Sequence, residues 1–337
     1  MGKKPREIKG YINFCGENVV DMMQVRPGND GTARFAAHLG GSAFNAAIGA
    51  AKLVRAKKLP IGIRYIGVVS LDQFGEQFMA TMAKAGIDTS LAVRNNSFTT
   101  KAYVTSTVEG GERKNGFSFN RDVTNPGHLE LAGKIESINA AHPNIFAFGC
   151  ISSVMDPDHK GYFEAGEAAY NKGGAIYYDY NTRPQLIASI DQYRHRVCAW
   201  HQLSGIIKMS VDDLHATRPN ADITLDSISS RDSNRIFIMT DGGKGAEASF
   251  HRTQSGFQIN LAAKPLNAPN TVGAGDNFNA GLLVNLASNG LWTPTDWFNI
   301  TAAQMGDALK AGNNAARQHL LRQGATAIHA VHSRGSR

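Results

Sequence analysis

The chain has 337 residues, 42% of them apolar, and a formal net charge of +7, which suits one large α/β domain with an elaboration or two modest domains. Its basic residues are spread along the chain, and the densest runs, Lys52 to Lys58 and Ser333 to Arg337, read as solvated surface, so a nucleic-acid partner is not expected. Three scattered cysteines, Cys15, Cys150 and Cys198, exclude a disulfide framework; with no apolar stretch long enough for a signal peptide or a membrane span, a soluble cytoplasmic protein is expected.

From the N-terminus, short apolar runs alternate with helical segments. Tyr11 to Cys15 reads as a strand, Ser42 to Val54 as an alanine-rich helix, Ile63 to Val69 as a strand and Phe74 to Ala85 as a helix. The pattern resumes with a strand at Asn144 to Gly149, a helix at Asp158 to Asn171 ended by Gly173-Gly174, and strands at Ala175 to Asp179, Ile206 to Met209 and Arg235 to Thr240. Two further strands follow at 248–251 and 256–261, and Thr295 to Arg322 reads as helical throughout. Such βαβ alternation implies a parallel sheet covered on both faces. Two stretches depart from it and read as antiparallel strands: Asp21 to Leu39, and Thr99 to Val108 joined through Gly110-Gly111 to Asn115 to Asn120. They form either a small sheet lying as a lid over the carboxyl edge of the main one, or an edge hairpin or dimer surface. Sheets of this kind can pair across a two-fold axis, so a homodimer through the lid is an expectation.

The most informative segment is Asn270-Thr271-Val272-Gly273-Ala274-Gly275-Asp276, which runs into the helical Asn277 to Leu283. A helix start offers unpartnered N–H groups and the positive end of the macrodipole, and glycines let a ligand approach the backbone. A phosphoryl group fits there. The acid is either an N-cap or a base for a hydroxyl attacking that phosphoryl group, and phosphoryl transfer is the chemistry expected. A P-loop is excluded, since Gly-x-x-x-x-Gly-Lys-Ser/Thr is absent. Gly243-Lys244-Gly245-Ala246-Glu247-Ala248 follows a strand but opens onto more strands, so it does not mark a dinucleotide site. Eleven dispersed histidines lack a metal-ligand spacing. Gly40-Gly41 before Ser42 and Asn45 is either a capped helix start or a polyol-binding turn. Asp21 either orients hydroxyls or keeps an edge soluble, and Asp179-Tyr180-Asn181-Thr182-Arg183-Pro184 is either a turn or a site at a strand end.

Taken in order, these residues resemble the PfkB or ribokinase-like carbohydrate kinases, the fructokinase branch most closely. The likeness rests on Gly16 to Asp21, Gly40 to Asn45, Gly110 to Arg113, Asp179 to Pro184, Ile207 to Leu214, Thr240 to Gly245 and Thr271 to Asp276. It implies a ribokinase-like α/β fold, a Rossmann-like mostly parallel sheet flanked by helices with a small β-sheet lid. The large domain would span 1–20, 40–97 and 122–337, and the lid 21–39 and 98–121. The resemblance further implies ATP as donor, a sugar hydroxymethyl as acceptor, and magnesium. By the same likeness Asp276 is the base, and Gly273, Ala274 and Gly275 form the anion hole. The sugar positions are Asp21, Gly40, Gly41, Asn45 and Arg183. The nucleotide positions are Ser210, Asp213, Thr240, Gly242, Gly245, Asn313 and Asn314, with Asp213 associated with magnesium through water. Asn270 replaces a common Asp tied to a monovalent-cation site, Ser210 replaces Asn, and Tyr180 replaces Pro. A fructokinase is expected; a ribokinase, a nucleoside kinase and an idle sugar or nucleotide sensor stay open.

Overall fold

The structure, a computed structural model, describes residues 7–25, 32–109, 112–121, 127–217, 225, 228, 234–252, 256–264, 266 and 271–332, with backbone alone for 105–117 and 323–332. In chain order the strands are β1 (Gly10–Cys15), β2 (Val19–Val25), β3 (Arg34–Gly40), β4 (Ile61–Ile66), β5 (Val68–Ser70), β6 (Val93–Asn95) and β7 (Thr100–Glu109). They continue as β8 (Glu112–Asn120), β9 (Asn144–Gly149), β10 (Ala175–Asp179), β11 (Ile206–Ser210), β12 (Ile236–Asp241), β13 (Gly245–Phe250) and β14 (Phe257–Ala262). The helices used below are α1 (Ser42–Lys57), α2 (Gln73–Ala85), α3 (Leu131–Glu136), α4 (Cys150–Val154), α5 (His159–Asn171), α6 (Ile190–Leu203) and α7 (Val211–Thr217). After these come α8 (Ala274–Ser288), α9 (Pro294–Phe298) and α10 (Ala302–His332).

Eight strands pair in the order β14-β13-β12-β11-β10-β9-β1-β4. The six from β12 to β4 are parallel, and β13 and β14 extend that edge antiparallel. Successive side chains in these strands enter opposite cores. Ile145 and Ala147, Ala175 and Tyr177, and Ile236 and Ile238 join the cluster under α1, α8 and α10. Phe146 and Phe148, Ile176 and Tyr178, and Phe237 join the cluster under α5 and α6. Two buried faces are what an apolar run without alternation requires. From β1 the chain order builds β4 on one side and β9 to β12 on the other. The strand order therefore reverses between β1 and β9, where an open α/β sheet leaves a crevice at its carboxyl edge.

The second sheet has the order β3-β2-β7-β8. Its two hairpins are antiparallel within themselves, but β2 and β7 meet in parallel. Gly110 and Gly111, the expected turn of the second hairpin, lie outside the described residues.

Two expected elements divide. The run 63–69 breaks at Gly67, and β5 leaves the large sheet to pair with β6. At that break Gly16 N–H donates to the Ile66 carbonyl at 3.1 Å, and a Cβ on residue 67 would lie 2.2 Å from the Gly16 carbonyl oxygen. The backbone of the β1–β2 connection fills the space a continuing strand would need. The segment 295–322 is two helices, because it contains two start signals. Thr293 and Asp296 exchange side-chain and backbone hydrogen bonds at the start of α9, and Thr301 and Gln304 do the same at the start of α10. Each is the Thr-x-x-acid/amide spacing of a capping box.

The α5/α6 side is centred on Trp200, which is fully buried. Its ring lies 4.9 Å from Phe148, 5.2 Å from Tyr178 and 5.4 Å from Phe163, and its indole N–H donates to the Ser153 carbonyl at 2.9 Å. Replacing Trp200 with Ala is expected to lower unfolding free energy by about 3–5 kcal/mol, read from equilibrium denaturation. A loss under about 1 kcal/mol would contradict the packing role given to this ring.

Candidate active site

The carboxyl ends of β1, β9, β10, β11 and β12 place the sequence-picked residues along one edge. Thr240 lies opposite Ser210 in the register of β11 and β12. Gly242 opens the short turn to Gly245, whose φ is +121° and whose Cβ, if present, would lie 2.1 Å from the Leu261 carbonyl oxygen. Asp213, in the first turn of α7, accepts hydrogen bonds from the Thr182 N–H at 2.6 Å and from the Ser210 N–H and hydroxyl at 2.7 Å each. The carboxylate thus ties the end of β11 to the segment after β10.

The amino ends of α1 and α8 pack against each other, and Asp276 stands at their junction. α8 is capped by Gly273, in the left-handed region at φ +79°, so Asp276 lies in the first turn and is not the N-cap. Its two oxygens accept from the Ser42 hydroxyl at 2.7 Å and the Asn45 amide at 2.9 Å. Ser42 therefore faces Asp276, and α1 begins without a side-chain cap, from Gly41 at φ +97°. A Cβ at Gly41 would lie 2.6 Å from the Glu17 carbonyl oxygen, which rules out every larger residue. The bland reading of Gly-Gly-Ser as a capped start does not describe this turn.

Asp276 is recessed at 8% exposure, while Thr271, Val272 and Gly275 are open to solvent. The Ala274 N–H donates to the Thr271 carbonyl at 3.1 Å, and the Gly275 N–H has no such partner among the described residues. Asn270 lies outside them. His319 of α10 steadies the turn through a 2.9 Å hydrogen bond between its Nε2 and the Val272 carbonyl.

Asp21 sits on β2 opposite His38 of β3, above Gly40, where a Cβ would come within 2.3 Å of its Oδ2. Among the described residues no group donates a hydrogen bond to its carboxylate. Burial, and then the Asp276 carboxylate, push its pKa up to about 6, against the opposing pull of Arg183 and His38. Arg183 is held by the Asn181 side chain and by the carbonyls of Asn181 and Thr182, at 2.6–3.1 Å. Burial works against its charge, but Cys150 and then the carboxylates of Asp276, Asp213 and Glu17 outweigh that and raise its pKa. The site thus presents a bare acid, a hydrogen-bonded acid and a fixed guanidinium within one electrostatic reach.

The structure does not bring all the chosen residues together. Asn314 is exposed and lines a groove of about 660 Å³ with Leu53, Lys57 and Asn285, on the outer side of the α1, α8 and α10 layer. Asn313 turns inward, and its amide nitrogen, like the Nε of Arg317 one turn later, is buried without a hydrogen-bond partner. A further hollow of about 340 Å³ contains Gly174, Gly205 and Asn234, beside the amino ends of β10 to β12, opposite the end where such sheets bind ligands. No group of three His, Cys, Asp or Glu side chains able to hold a metal ion occurs among the described residues. Asp213, with both oxygens engaged, fits contact with a hydrated ion and not direct ligation.

Sequence reasoning missed Ser42, His38 and Lys208 as parts of this site, and the pairing of Lys208 with Asp179. Ser42 carried a signal, since a helix-start serine four positions before a conspicuous Ala-rich stretch reads first as a cap. No helix is long and apolar enough to cross a membrane among the described residues.

The Asp21 geometry gives a prediction in which stability and function part. A raised carboxyl pKa means the folded state holds the proton more tightly, so the ionised side chain costs stability above pH 6 and costs nothing below about pH 4. Asp21→Asn is expected to stabilise the fold at pH 8 by up to about 3 kcal/mol, with the gain vanishing towards pH 4. Thermal melts across that range check it; a destabilised variant at pH 8 would refute it.

Residues 15–330 match the model of the pfkB family carbohydrate kinases. The chain is 28% identical to the fructokinase of Salmonella typhimurium over 299 residues, covering 86% of this chain and 88% of that protein. Likewise it is 28% identical to the fructokinase of Klebsiella pneumoniae over 287 residues, covering 84% and 87%. Its fold is similar to that of the fructokinase from Vibrio cholerae O395, solved with fructose, ADP and calcium ion, at a TM-score of 0.72, 21% identity and coverage of 91% and 92%. The aminoimidazole riboside kinase of Salmonella enterica is similar too, at a TM-score of 0.71, 19% identity and coverage of 92% and 93%. With the family model spanning nearly its whole length, and a glycine-rich helix start presenting an acid at the carboxyl edge of a parallel sheet, the chain belongs to the pfkB family of carbohydrate kinases.

Proposed function

We propose that the protein transfers the γ-phosphoryl group of ATP to a hydroxymethyl group of fructose. The observation that carries this reading is the Asp276 carboxylate at the first turn of α8, oriented by Ser42 and Asn45 and close enough to the bare Asp21 to raise its pKa. Asp21, Asn45 and Arg183 bind the sugar, with the backbone of Gly40 and Gly41 shaping that wall. The Asp21 carboxylate, lacking protein donors, accepts hydrogen bonds from sugar hydroxyls, and the acceptor hydroxyl gives its proton to Asp276 as it attacks in line. The amides of Gly273, Ala274 and Gly275 receive the phosphoryl charge; Gly275 is the readiest, since that of Ala274 first leaves its turn bond to Thr271.

The nucleotide lies along Ser210, Thr240, Gly242 and Gly245 towards α10, where the unpartnered donors of Asn313 and Arg317 suit a base or ribose. Magnesium carried on the phosphates would neutralise part of their charge, with Asp213 meeting it through water. The β2, β3, β7 and β8 sheet closes over the acceptor as a lid and excludes water. It is also the face through which a homodimer would form. Work in the cytoplasm fits an ATP-dependent reaction.

Asp276→Asn is expected to bind fructose and ATP much as the parent does while kcat falls by about 10²–10⁴-fold, measured by coupled ADP release and by calorimetric titration of each substrate. Turnover near the parental rate would remove Asp276 from its role. Offered fructose, ribose and adenosine in separate assays, the enzyme is expected to show its highest kcat/KM on fructose. A clear preference for ribose or adenosine moves the assignment to those acceptors, and nucleotide binding with no product from any sugar makes the protein a sensor.

A further inference from the structure

Lys208 stands in the middle of a strand, 4% exposed, on the face of the sheet covered by α8. It lies opposite Asp179 in the parallel register of β10 and β11, and its Nζ is 3.0 Å from Asp179 Oδ1. The other oxygen of Asp179 accepts from the Asn279 amide at 2.7 Å, and Asn279 in turn accepts from the Tyr177 hydroxyl at 2.7 Å. Asn279 belongs to α8, one turn after Asp276, so this chain of contacts runs from the sheet floor into the helix that carries the anion-binding turn. At the other end, the Lys208 Nζ lies 3.7 Å from where a Cβ on Gly275 would be. The ammonium is therefore directly beneath that turn.

Burying an ion pair is costly, and apolar replacement of such pairs is often neutral or stabilising. Fold stability is thus a weak reason for a lysine here. The Asp179 Oδ1 contact is close but out of line, since that oxygen has no hydrogen-bond partner; the attraction is of charge to charge. Burial pulls the Lys208 pKa down, yet Asp179, Asp213 and Asp276 together outweigh it and hold the side chain protonated. Three carboxylates, one of them in contact, act electrostatically on one cation, and a nucleotide adds more negative charge beside them. Arg183, a half-buried cation that acts on Asp276 and Asp213, also acts on Asp21, which places it towards the acceptor.

We propose that Lys208 is a positioning residue for phosphoryl transfer: a fixed cation under the Gly275 turn that offsets the charge of Asp179, Asp213 and Asp276 so that the nucleotide's phosphates can settle there, with Asp179 and Asn279 as its holders. This rests on the kinase reading above. It differs from a structural role in what happens when the pair is removed as a whole.

The test uses the full chain in three forms: Lys208→Met, Lys208→Arg and the double variant Lys208→Met with Asp179→Asn. Melting temperature, kcat, the KM values for fructose and ATP, and the Kd for ADP by calorimetry are measured for each. Lys208→Met is expected to melt lower, to bind ADP at least tenfold more weakly and to lose about 100-fold in kcat, with the fructose KM within threefold of the parent. The double variant is expected to regain most of the melting temperature but not ADP affinity or kcat, and Lys208→Arg to stay within about tenfold of the parent. If the double variant recovers turnover and ADP affinity along with stability, Lys208 is only a packing partner for Asp179 and the proposal is overturned. Should Lys208→Met fail to fold, the double variant alone decides by its ADP affinity. If the parent itself makes no sugar phosphate, the kinase reading has failed, and ADP binding unchanged between parent and double variant then overturns this proposal separately.

Discussion

The site depends on one junction, the contact between the amino ends of α1 and α8. Asp276 is held there by two side chains from the other helix, Ser42 and Asn45, so its position is set by how closely the two helices approach. Small residues permit that approach: a Cβ on Gly49 of α1 would meet the Asn277 side chain at 2.8 Å and the Ala280 Cβ at 3.1 Å, both on α8. Because these helices share one face of the sheet, their first turns open at its carboxyl edge, beside the crevice where the strand order reverses. Two macrodipoles then point their positive ends at one place. A carboxylate is welcome at that point, and so is a phosphoryl group.

That welcome has to be balanced, because four carboxylates gather in a small volume. Asp213 spends its oxygens on backbone and hydroxyl donors, Asp179 on Lys208 and Asn279, and Asp276 on Ser42 and Asn45. Of the four, Asp21 alone accepts no hydrogen bond among the described residues, and burial with the Asp276 charge raises its pKa. An unsatisfied carboxylate is what a polyol with several hydroxyls can satisfy, and under the proposed function this unfavourable term becomes binding energy for the sugar. The same logic explains why the acid is left on an intermediate-burial strand and not sealed in the core. Stability given up at a site is a common signature of function.

Much of this was legible in the sequence. The period of the apolar runs fixed the strands from 144 to 240 and both faces of the large sheet, since a doubly covered parallel strand must read as continuously apolar. Gly273 to Asp276 announced a helix start with an acid in its first turn, because glycines and an acid there have few structural reasons to coincide. What could not be read were partnerships across sequence distance. Ser42 donates to a residue 234 positions away, and Lys208 hides in a strand where a lone lysine looks like an edge residue. The break at Gly67 depends on the Gly16 backbone, which no local pattern reveals. The break after Phe298 was different: the capping spacings Thr293 to Asp296 and Thr301 to Gln304 were present and were outweighed by the helical composition around them. Asn313 and Asn314 adjoin in sequence, yet successive helix residues point about 100° apart, so one turns inward and the other lines an outer groove.

The two halves of the chemistry are carried by separate sheets. Asp276, Asp213, Lys208 and Asp179 stand on the carboxyl edge of the large sheet and its helices, while Asp21 and His38 stand on β2 and β3, which pair only with β7 among the strands around them. The covalent joint between the halves is Gly40-Gly41. There a side chain on residue 40 would strike the Asp21 carboxylate and one on residue 41 would strike the Glu17 and Asn18 backbone, so the joint admits almost no other residue. Through it, the end of β3 leads directly into the helix whose Ser42 and Asn45 hold Asp276. Any tilt of the smaller sheet that carries Asp21 therefore pulls on the first turn of α1, and through it on Asp276. Under the proposed function, the acceptor side can vary in the strands of the smaller sheet without disturbing the phosphoryl side, so long as those two glycines transmit the same geometry, which is why the phosphoryl chemistry is easier to read from this chain than the identity of the sugar.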